Sequence, residues 1–459
     1  MTRPLVALFV AALASASAFA QEKDKVKASA NANELTPAER GYKALTETAF
    51  IPGFWSQSAF PNVWKQWGSE KPEKYDEAIL ERYGLHAAPY PNDGLPMGFR
   101  KAPILAKTGV GIDCMLCHAG SIMGKSYVGL GNSTLDVQAI FEELPKADGM
   151  SGKTPFAFSN VRGTNEADAF GVFLLGFRKP DLSMSLDWKN LGLHDDICED
   201  VPAWWLMKKK KSIYATGATD SRSVRTLMQF MMHPLTTPKD FAKHEPAFRD
   251  VQQYLINLEP PKYPFAIDQD KAAKGEKVFK QNCAKCHGTY GEKWTYPNKV
   301  IPIDEIGTDP ARFKGVEVAY GKAYGESWFG QEKGDWSYFD GKTFRQTEGY
   351  QAPPLDGIWA TAPYFHNGSV PTLDGVLNSK SRPKLFTRSF KTGEADYDKV
   401  KVGWKVTELR EPPGTKVPAI ERRKVYDTSK PGRSNGGHTY GDDLSEEERA
   451  QVIEYLKTL

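Results

Sequence analysis

This sequence has little net charge, no long apolar segment after residue 20 and no methionine after Met232. Each of these features excludes a kind of partner, membrane anchor or metal ligand. Lysine and arginine exceed aspartate and glutamate by only three, 60 against 57. This balance gives no reason to expect nucleic acid or anionic lipid as a partner. No segment after residue 20 is apolar enough to span a membrane. The last of ten methionines is Met232, so the C-terminal half has no methionine to offer as a metal ligand.

The run Lys208–Lys211 is the one local excess of charge. We interpret it as a solvated turn; a docking patch for an acidic redox partner is the alternative.

The first twenty residues are typical of a secretory signal peptide. Arg3 precedes an apolar run, and small residues lead to Ala18-Phe19-Ala20. Such an Ala-x-Ala site predicts cleavage before Gln21, and the apolar run is too short for a membrane anchor. Residues 21–40 are then an N-terminal extension. We expect an exported protein, most simply in a bacterial periplasm.

Four of the five cysteines lie in two copies of Cys-x-x-Cys-His, "CMLCH" and "CAKCH". Cysteine pairs in exported proteins usually form disulfides. This spacing and the following histidine instead predict c-type haem attachment, with two thioether bonds and an adjacent iron ligand. The predicted haem-binding residues are Cys114, Cys117 and His118 for the first haem and Cys283, Cys286 and His287 for the second. The remaining Cys198 is interpreted as a structural free thiol.

Helical patterns indicate two units. "KAAKGEKVFKQN" precedes the second motif, and Gly275 in it would let an aromatic side chain of another helix approach closely. The chain ends in "LSEEERAQVIEYLKTL", which Ser445 and Glu448 begin with a capping box. The apolar spacing Val-x-x-Tyr-Leu-x-x-Leu of that helix recurs in "FRDVQQYLINLEPP", before Pro260. Each helix is therefore predicted to close one haem domain.

We predict a mainly α fold of two tandem class I cytochrome c-like domains, at 41–262 and 268–459, with long loop insertions. Two covalently bound c-type haems follow from the two motifs.

The group that occupies the second axial position of each haem iron distinguishes electron carriers from enzymes. Only His366 and His438 follow His287. His438 lies in a glycine-rich polar loop, "SNGGHTYGDD", whereas His366 has aromatic neighbours in "APYFHNGSVPTL". We therefore predict His366 as the second ligand of the second haem, with a neutral core histidine as the alternative.

No second ligand stands out for the first haem. Met123 is the only candidate in the loop after the motif, while His86, Met97 and His233 lie elsewhere in the first domain. An open or labile iron is a further alternative.

Two haem motifs in tandem domains and the segment "TAPYFHNGSVPTL" resemble the bacterial di-haem cytochrome c peroxidase superfamily, which includes the quinone-maturing MauG enzymes and the rubber oxygenases. From about 250 to 459, "INLEPPKYPF", "CAKCHGTYG", "IGTDPAR" and "SNGGHTYGDDLSEEER" are most similar to the rubber-oxygenase-related branch. The resemblance is weaker from 40 to 250.

The resemblance carries expectations about ligands. The family's methionine ligand of the C-terminal haem would fall near Lys380, where this chain has none, in agreement with His366. The family's displaceable histidine after the first motif is also missing. That absence implies an N-terminal iron that stays accessible.

Other expectations concern residues near the haems. Gln229 matches the glutamine over the reactive haem of the peroxidases, but Lys239 stands where their catalytic glutamate would be. A calcium ion that bridges the domains of many relatives would bind the carbonyls of Thr361 and Pro363. Trp204 and Trp205 are interpreted as an aromatic relay between the haems or as ordinary core residues.

The predicted function is an exported di-haem c-type cytochrome oxidoreductase that couples electron transfer to peroxide or dioxygen chemistry at the N-terminal haem. A small redox protein or a quinol-linked donor would supply electrons. The alternative is a non-catalytic electron carrier in which both irons are six-coordinate. A haem-based sensor is a third class, for which no partner-domain pattern is found.

Overall fold

The computed structural model describes residues 34–104, 107–332, 337–339 and 341–459. The predicted signal peptide and residues 21–33 of the predicted extension lie outside these ranges. Among the described helices, none has both the length and the apolar character needed to cross a membrane.

Most of the described helices have nine residues or fewer, and four of the five longer ones lie at the ends of the two halves. The helices are α1 (Pro37–Glu47), α2 (Ala59–Asn62), α3 (Tyr75–Tyr83), α4 (Val137–Ala147), α5 (Ala167–Leu175), α6 (Val224–Leu227), α7 (Pro238–Ile256), α8 (Gln269–Asn282), α9 (Ala284–His287), α10 (Ile303–Ile306), α11 (Ala311–Lys314), α12 (Val318–Glu326), α13 (Leu373–Leu377), α14 (Ala419–Arg422) and α15 (Glu446–Leu456).

The strands form small antiparallel sheets of two or three strands. They are β1 (Trp55–Ser56), β2 (Phe99–Ile104), β3 (Lys107–Ile112), β4 (Ala119–Ile122), β5 (Lys125–Val128), β6 (Ser212–Ile213), β7 (Thr219–Asp220), β8 (Val300–Pro302), β9 (Gly349–Gln351), β10 (Leu385–Thr387), β11 (Tyr397–Asp398), β12 (Gly403–Trp404), β13 (Thr407–Glu408) and β14 (Val425–Asp427).

The predicted mainly α fold class is wrong, because only 35% of the chain is helical and 13% is in strands. Within the long loops, backbone N–H and C=O groups find partners in one another and form short antiparallel pairs. Such hairpins frame the first haem motif: β2 pairs with β3 before it, and β4 pairs with β5 after it. Strands this short leave too little periodicity to be recognised in sequence.

In each half, one pair of helices crosses closely at a glycine. Where α8 crosses α15, a Cβ atom on Gly275 would lie 1.9 Å from the carbonyl oxygen of Gln451. Where α1 crosses α7, a Cβ atom on Gly41 would lie 2.0 Å from the carbonyl oxygen of Asp250. The two backbones therefore touch at each glycine, as the sequence predicted for Gly275. What approaches Gly275 is backbone, however, and not the aromatic ring that we expected.

The final helix begins and packs as predicted. The Ser445 hydroxyl accepts a hydrogen bond from the Glu448 N–H at 3.2 Å, and the Glu448 carboxylate accepts one from the Ser445 N–H at 2.8 Å. Val452, Tyr455 and Leu456 are all buried against α8 and its surroundings. The capping box and the apolar face of α15 are thus confirmed.

The two halves share their interior. Ile122 and Trp205 from the first half pack in the same apolar cluster as Trp359 and Val452 from the second. The fully buried carboxylate of Asp136 binds the guanidinium of Arg423 at 3.0 Å. The boundary predicted at 262–268 falls between α7 and α8, and it stays a prediction.

We expect Gly275→Ala to destabilise the protein, because the added methyl group collides with α15. The free energy of unfolding should fall by about 1–3 kcal/mol, measured by denaturant unfolding. Gly325→Ala is the matched control, since Gly325 is also helical and has open space at its Cβ position. Equal effects of the two substitutions would contradict the close crossing.

Candidate haem site

Both Cys-x-x-Cys-His motifs line a single cavity of about 840 Å³. The second motif follows a long helix, since Cys283 ends α8 and His287 ends α9. The first motif instead starts in a 3-10 turn at Cys114, which the buried carboxylate of Asp113 caps by accepting the Met115 N–H at 2.8 Å. Different local structures therefore bring equivalent residues to the same space.

A proline carbonyl orients the histidine of each motif. The distance from Nδ1 to the carbonyl oxygen is 3.2 Å for His118 and Pro202 and 2.8 Å for His287 and Pro353. A carbonyl can only accept, so Nδ1 carries the proton in both rings, and the Nε2 lone pair is left for a metal. Burial lowers the pKa of His118 to about 4 and also lowers the pKa of His287. Both rings are therefore neutral, as iron ligation requires.

The ring that faces His287 belongs to His438. The two ring centroids are 6.3 Å apart. Two metal–nitrogen bonds of about 2 Å each, together with the distance from each nitrogen to its ring centre, add up to about 6 Å. Burial lowers the pKa of His438 to about 4, so its imidazole is neutral as well. This pair has the separation of two axial ligands on opposite sides of one iron.

Glycine and arginine hold the loop that carries His438. A Cβ atom on Gly437, whose φ is +72°, would lie 2.2 Å from the carbonyl carbon of Gly307, so this loop packs tightly against the end of α10. The guanidinium of Arg382 donates to the carbonyl oxygens of Gly437 at 2.7 Å and of His438 at 3.1 Å. The glycine-rich context that made His438 look like a surface residue is what allows its burial.

His366 has a different environment. Its ring stacks on Tyr350 with centroids 4.0 Å apart, and burial lowers its pKa to about 3, with the nearby Arg312 as a second cause. Its Nε2 has no hydrogen-bond partner in the described part of the chain. His366 lines the cavity, but among the described residues its ring makes no contact with that of His287. The geometry thus favours His438 over the predicted His366.

The structure also distinguishes the candidates for the second iron ligand of the first haem. His86 lies outside the cavity lining, with its Nε2 3.1 Å from the Asn132 side-chain oxygen. Met97 and Met123 are outside the lining as well. His233, by contrast, lines the cavity. No histidine ring contacts that of His118 among the residues described; its neighbour is the Trp204 ring, stacked at 5.0 Å.

Gln229 lines the cavity, but both ends of its amide are already bonded. Its Nε2 donates to the Tyr214 hydroxyl at 3.0 Å, and its Oε1 accepts from the Tyr320 hydroxyl at 3.1 Å. Lys239 is exposed in the first turn of α7. The residue that the resemblance aligns with a catalytic glutamate is therefore at the surface.

The lysine run is not the solvated turn that we expected. Lys209 is buried against Asp356 at 2.7 Å, and Lys210 reaches the cavity. Burial lowers the pKa of Lys210 to about 8, and no ion pair to its ammonium is found among the described residues. A buried ammonium without an acidic partner fits the carboxylate groups of haem. The sequence could not show which lysines are enclosed, because Lys209 and Lys210 lie between the exposed Lys208 and Lys211.

The predicted calcium ligands lie at the same cavity. Thr361 and Pro363 line it, and so does Asp200, whose pKa burial raises well above its usual range. Carbonyl and carboxylate oxygens are suitable calcium ligands. No group of three or more histidine, cysteine, aspartate or glutamate side chains suited to a metal ion occurs among the described residues. Calcium stays a prediction.

The remaining cysteine lies apart from the haem motifs. Cys198 is buried and free, with its sulfur 3.3 Å from the Thr164 hydroxyl, and burial raises its pKa to about 12. An inert thiol of this kind agrees with a structural role.

Residues 349–387 match a family described as RoxA-like, cytochrome c-like. This part of the chain is similar to a cytochrome c-like domain of the rubber-oxygenase-related type. The matched segment includes His366, Thr361 and Pro363, and the domain implies covalently bound haem. The resemblance seen in the sequence is confirmed for this segment.

Two proteins of Sinorhizobium fredii are similar over part of the chain. The uncharacterized protein y4iJ is 32% identical over 45% of this chain and 42% of its own length. The uncharacterized protein y4iM is 31% identical over 45% of this chain and 53% of its own length. The chain therefore spans about half the length of the curated relatives it matches.

Replacing Lys210 by methionine should lower the reduction potential of the haem nearest to it. A buried positive charge stabilises the electron-rich ferrous state, so its loss should shift the midpoint downward by tens of millivolts. Spectroelectrochemical titration measures the shift. Lys211→Met is the control, because Lys211 is exposed; equal midpoints in both variants would show that Lys210 does not face a haem.

Proposed function

We propose that this protein is an exported di-haem c-type cytochrome oxidoreductase in which the second haem supplies electrons for peroxide or dioxygen chemistry at the first. The observation that supports this most is an asymmetry within one cavity. Among the described residues, His287 is faced by another histidine, whereas His118 is not. Two haems with unlike axial environments are what an enzyme with separate electron-storing and reacting irons requires.

In this proposal, His438 is the second ligand of the iron of the second haem. His287 and His438 would together hold the second haem iron, which would leave no position for a substrate and would favour a low potential. The burial and the hydrogen bonds of the His438 loop hold the ligand in place without a bond to iron. This haem would accept electrons from a small redox protein or a quinol-linked donor.

The two tryptophans support a route between the haems. Trp204 stacks on His118, and the indole N–H of Trp205 donates to the Asp356 carbonyl at 2.8 Å. Asp356 lies three residues after Pro353, whose carbonyl holds His287. The adjacent tryptophans thus contact His118 on one side and, through Asp356, the segment that holds His287 on the other. We propose that they carry electrons from the second haem to the first.

Bound haem supplies the redox-active iron, and the protein supplies positions, protons and a dry cavity. With hydrogen peroxide, one molecule takes up two electrons and two protons and leaves as two molecules of water. With dioxygen, an organic substrate would be oxidised as well. The cavity wall includes the aromatic rings of Phe54, Phe141 and Phe173. Such apolar groups would keep bulk water away from bound haem.

A non-catalytic electron carrier is the second candidate, and one observation favours it. Met232 lines the cavity and could provide a thioether ligand for the first iron. It is fully packed with Phe248 and Leu255 in an apolar cluster, which suits a core methionine equally well.

Haem stoichiometry and ligand binding test the proposal. The purified protein should carry two haems by pyridine haemochrome assay. One should be lost in the double variant Cys114→Ala/Cys117→Ala and the other in Cys283→Ala/Cys286→Ala, while Cys198→Ala keeps both. The wild type should show a high-spin ferric signal and bind carbon monoxide when reduced. Two low-spin haems that bind neither carbon monoxide nor cyanide would establish the electron carrier instead.

The axial pairing of the second haem has its own test. His438→Gly should convert that haem from low spin to high spin, because the ring opposite His287 is removed. His366→Gly is the matched control and should leave the low-spin signal unchanged. Electron paramagnetic resonance of the ferric proteins measures both, and the reverse result would restore His366 as the ligand.

A further inference from the structure

His233 is a residue of the cavity wall whose chemistry the proposed function leaves unused. It follows Gln229 and Phe230 in a segment that lines the cavity, and only 6% of it is exposed. A buried histidine needs a hydrogen-bond partner at each ring nitrogen or a ligand in the place of one.

One hydrogen bond fixes the protonation of this ring. The backbone N–H of Leu235 donates to Nδ1 of His233 at 3.1 Å. Nδ1 is therefore the acceptor nitrogen, and in the neutral ring the proton must be on Nε2. Burial lowers the pKa of His233 to about 4, so the ring is neutral near pH 7. This state is the reverse of that of His118, where Nδ1 carries the proton.

The ring is also held in position. The Arg178 guanidinium donates to the carbonyl oxygens of His233 and Thr236, which fixes the turn that carries the ring. The edge of the ring packs on Phe54, with centroids 4.6 Å apart and planes at 78°. In the described part of the chain, Nε2 has no hydrogen-bond partner. A fixed donor without an acceptor thus borders the cavity.

The other polar group of this segment is held in place by tyrosines. One N–H of the Gln229 amide donates to Tyr214, and the amide oxygen accepts from Tyr320. A protonated Nε2 has no lone pair for iron, which separates His233 from the axial histidines.

We propose that His233 donates a hydrogen bond from Nε2 to the oxygen substrate at the first haem, and that it is not an iron ligand. This inference rests on the proposed function, since it requires an iron that accepts an external ligand. Hydrogen peroxide and dioxygen both offer an oxygen acceptor, and the donor would hold either in a fixed orientation.

Carbon monoxide and azide are suitable probes, because both bind haem iron and respond to a nearby donor. His233→Leu should raise the C–O stretching frequency of the ferrous carbon monoxide complex and weaken azide binding to the ferric protein about tenfold, as expected for one lost hydrogen bond to a charged group. His233→Gln keeps an N–H donor and should restore part of both effects. His244→Leu is the control, since His244 lies outside the cavity lining.

The outcomes separate the inference from the proposed function. If the wild type binds neither probe, both fail. If it binds them and His233→Leu leaves the stretching frequency and azide affinity unchanged, the inference fails and the proposed function stands. If His233→Leu turns a low-spin first haem into a high-spin one, His233 is an iron ligand and the inference is overturned. Haem content and circular dichroism of each variant establish that it has folded.

Discussion

The structure depends on keeping two histidine rings neutral, with the same nitrogen free, inside one apolar cavity. A proline carbonyl does this for each ring by accepting the Nδ1 proton. A proline carbonyl is well suited to the task because the proline ring fixes φ and limits the movement of the acceptor. Around these two hydrogen bonds the rest of the fold supplies rigidity, with helix pairs whose backbones touch at Gly41 and Gly275.

The cavity joins two halves that interlock through charges as well as apolar contacts. Arg312 from the second half is only 4% exposed and pairs with Asp168 and Glu199 from the first. A buried cation of this kind is costly unless it is fully paired, so the pairs constrain how the halves fit together. Their relative position in turn decides that His118 and His287 face a common space.

Much of the local structure could be predicted because it depends on neighbours in the sequence. The capping box at Ser445 and the close approach at Gly275 follow from helix geometry over a few residues. The strands were missed because hairpins of two to six residues pair segments that carry no clear alternation. The expected aromatic contact at Gly275 was wrong in detail, since a sequence does not say which atoms of a crossing helix come nearest.

The sequence by itself determined the chemistry of attachment, because cysteine spacing and the adjacent histidine suffice for a covalent haem. It also excluded methionine as a ligand in the C-terminal half. Only the tertiary structure decided which histidine faces His287, because that depends on how the loops around Gly437 and Arg382 pack. It likewise decided that Lys210 lies in the cavity and that His233 presents a donor. Burial and hydrogen-bond direction depend on contacts between residues that are distant in the chain, so no local sequence pattern predicts them.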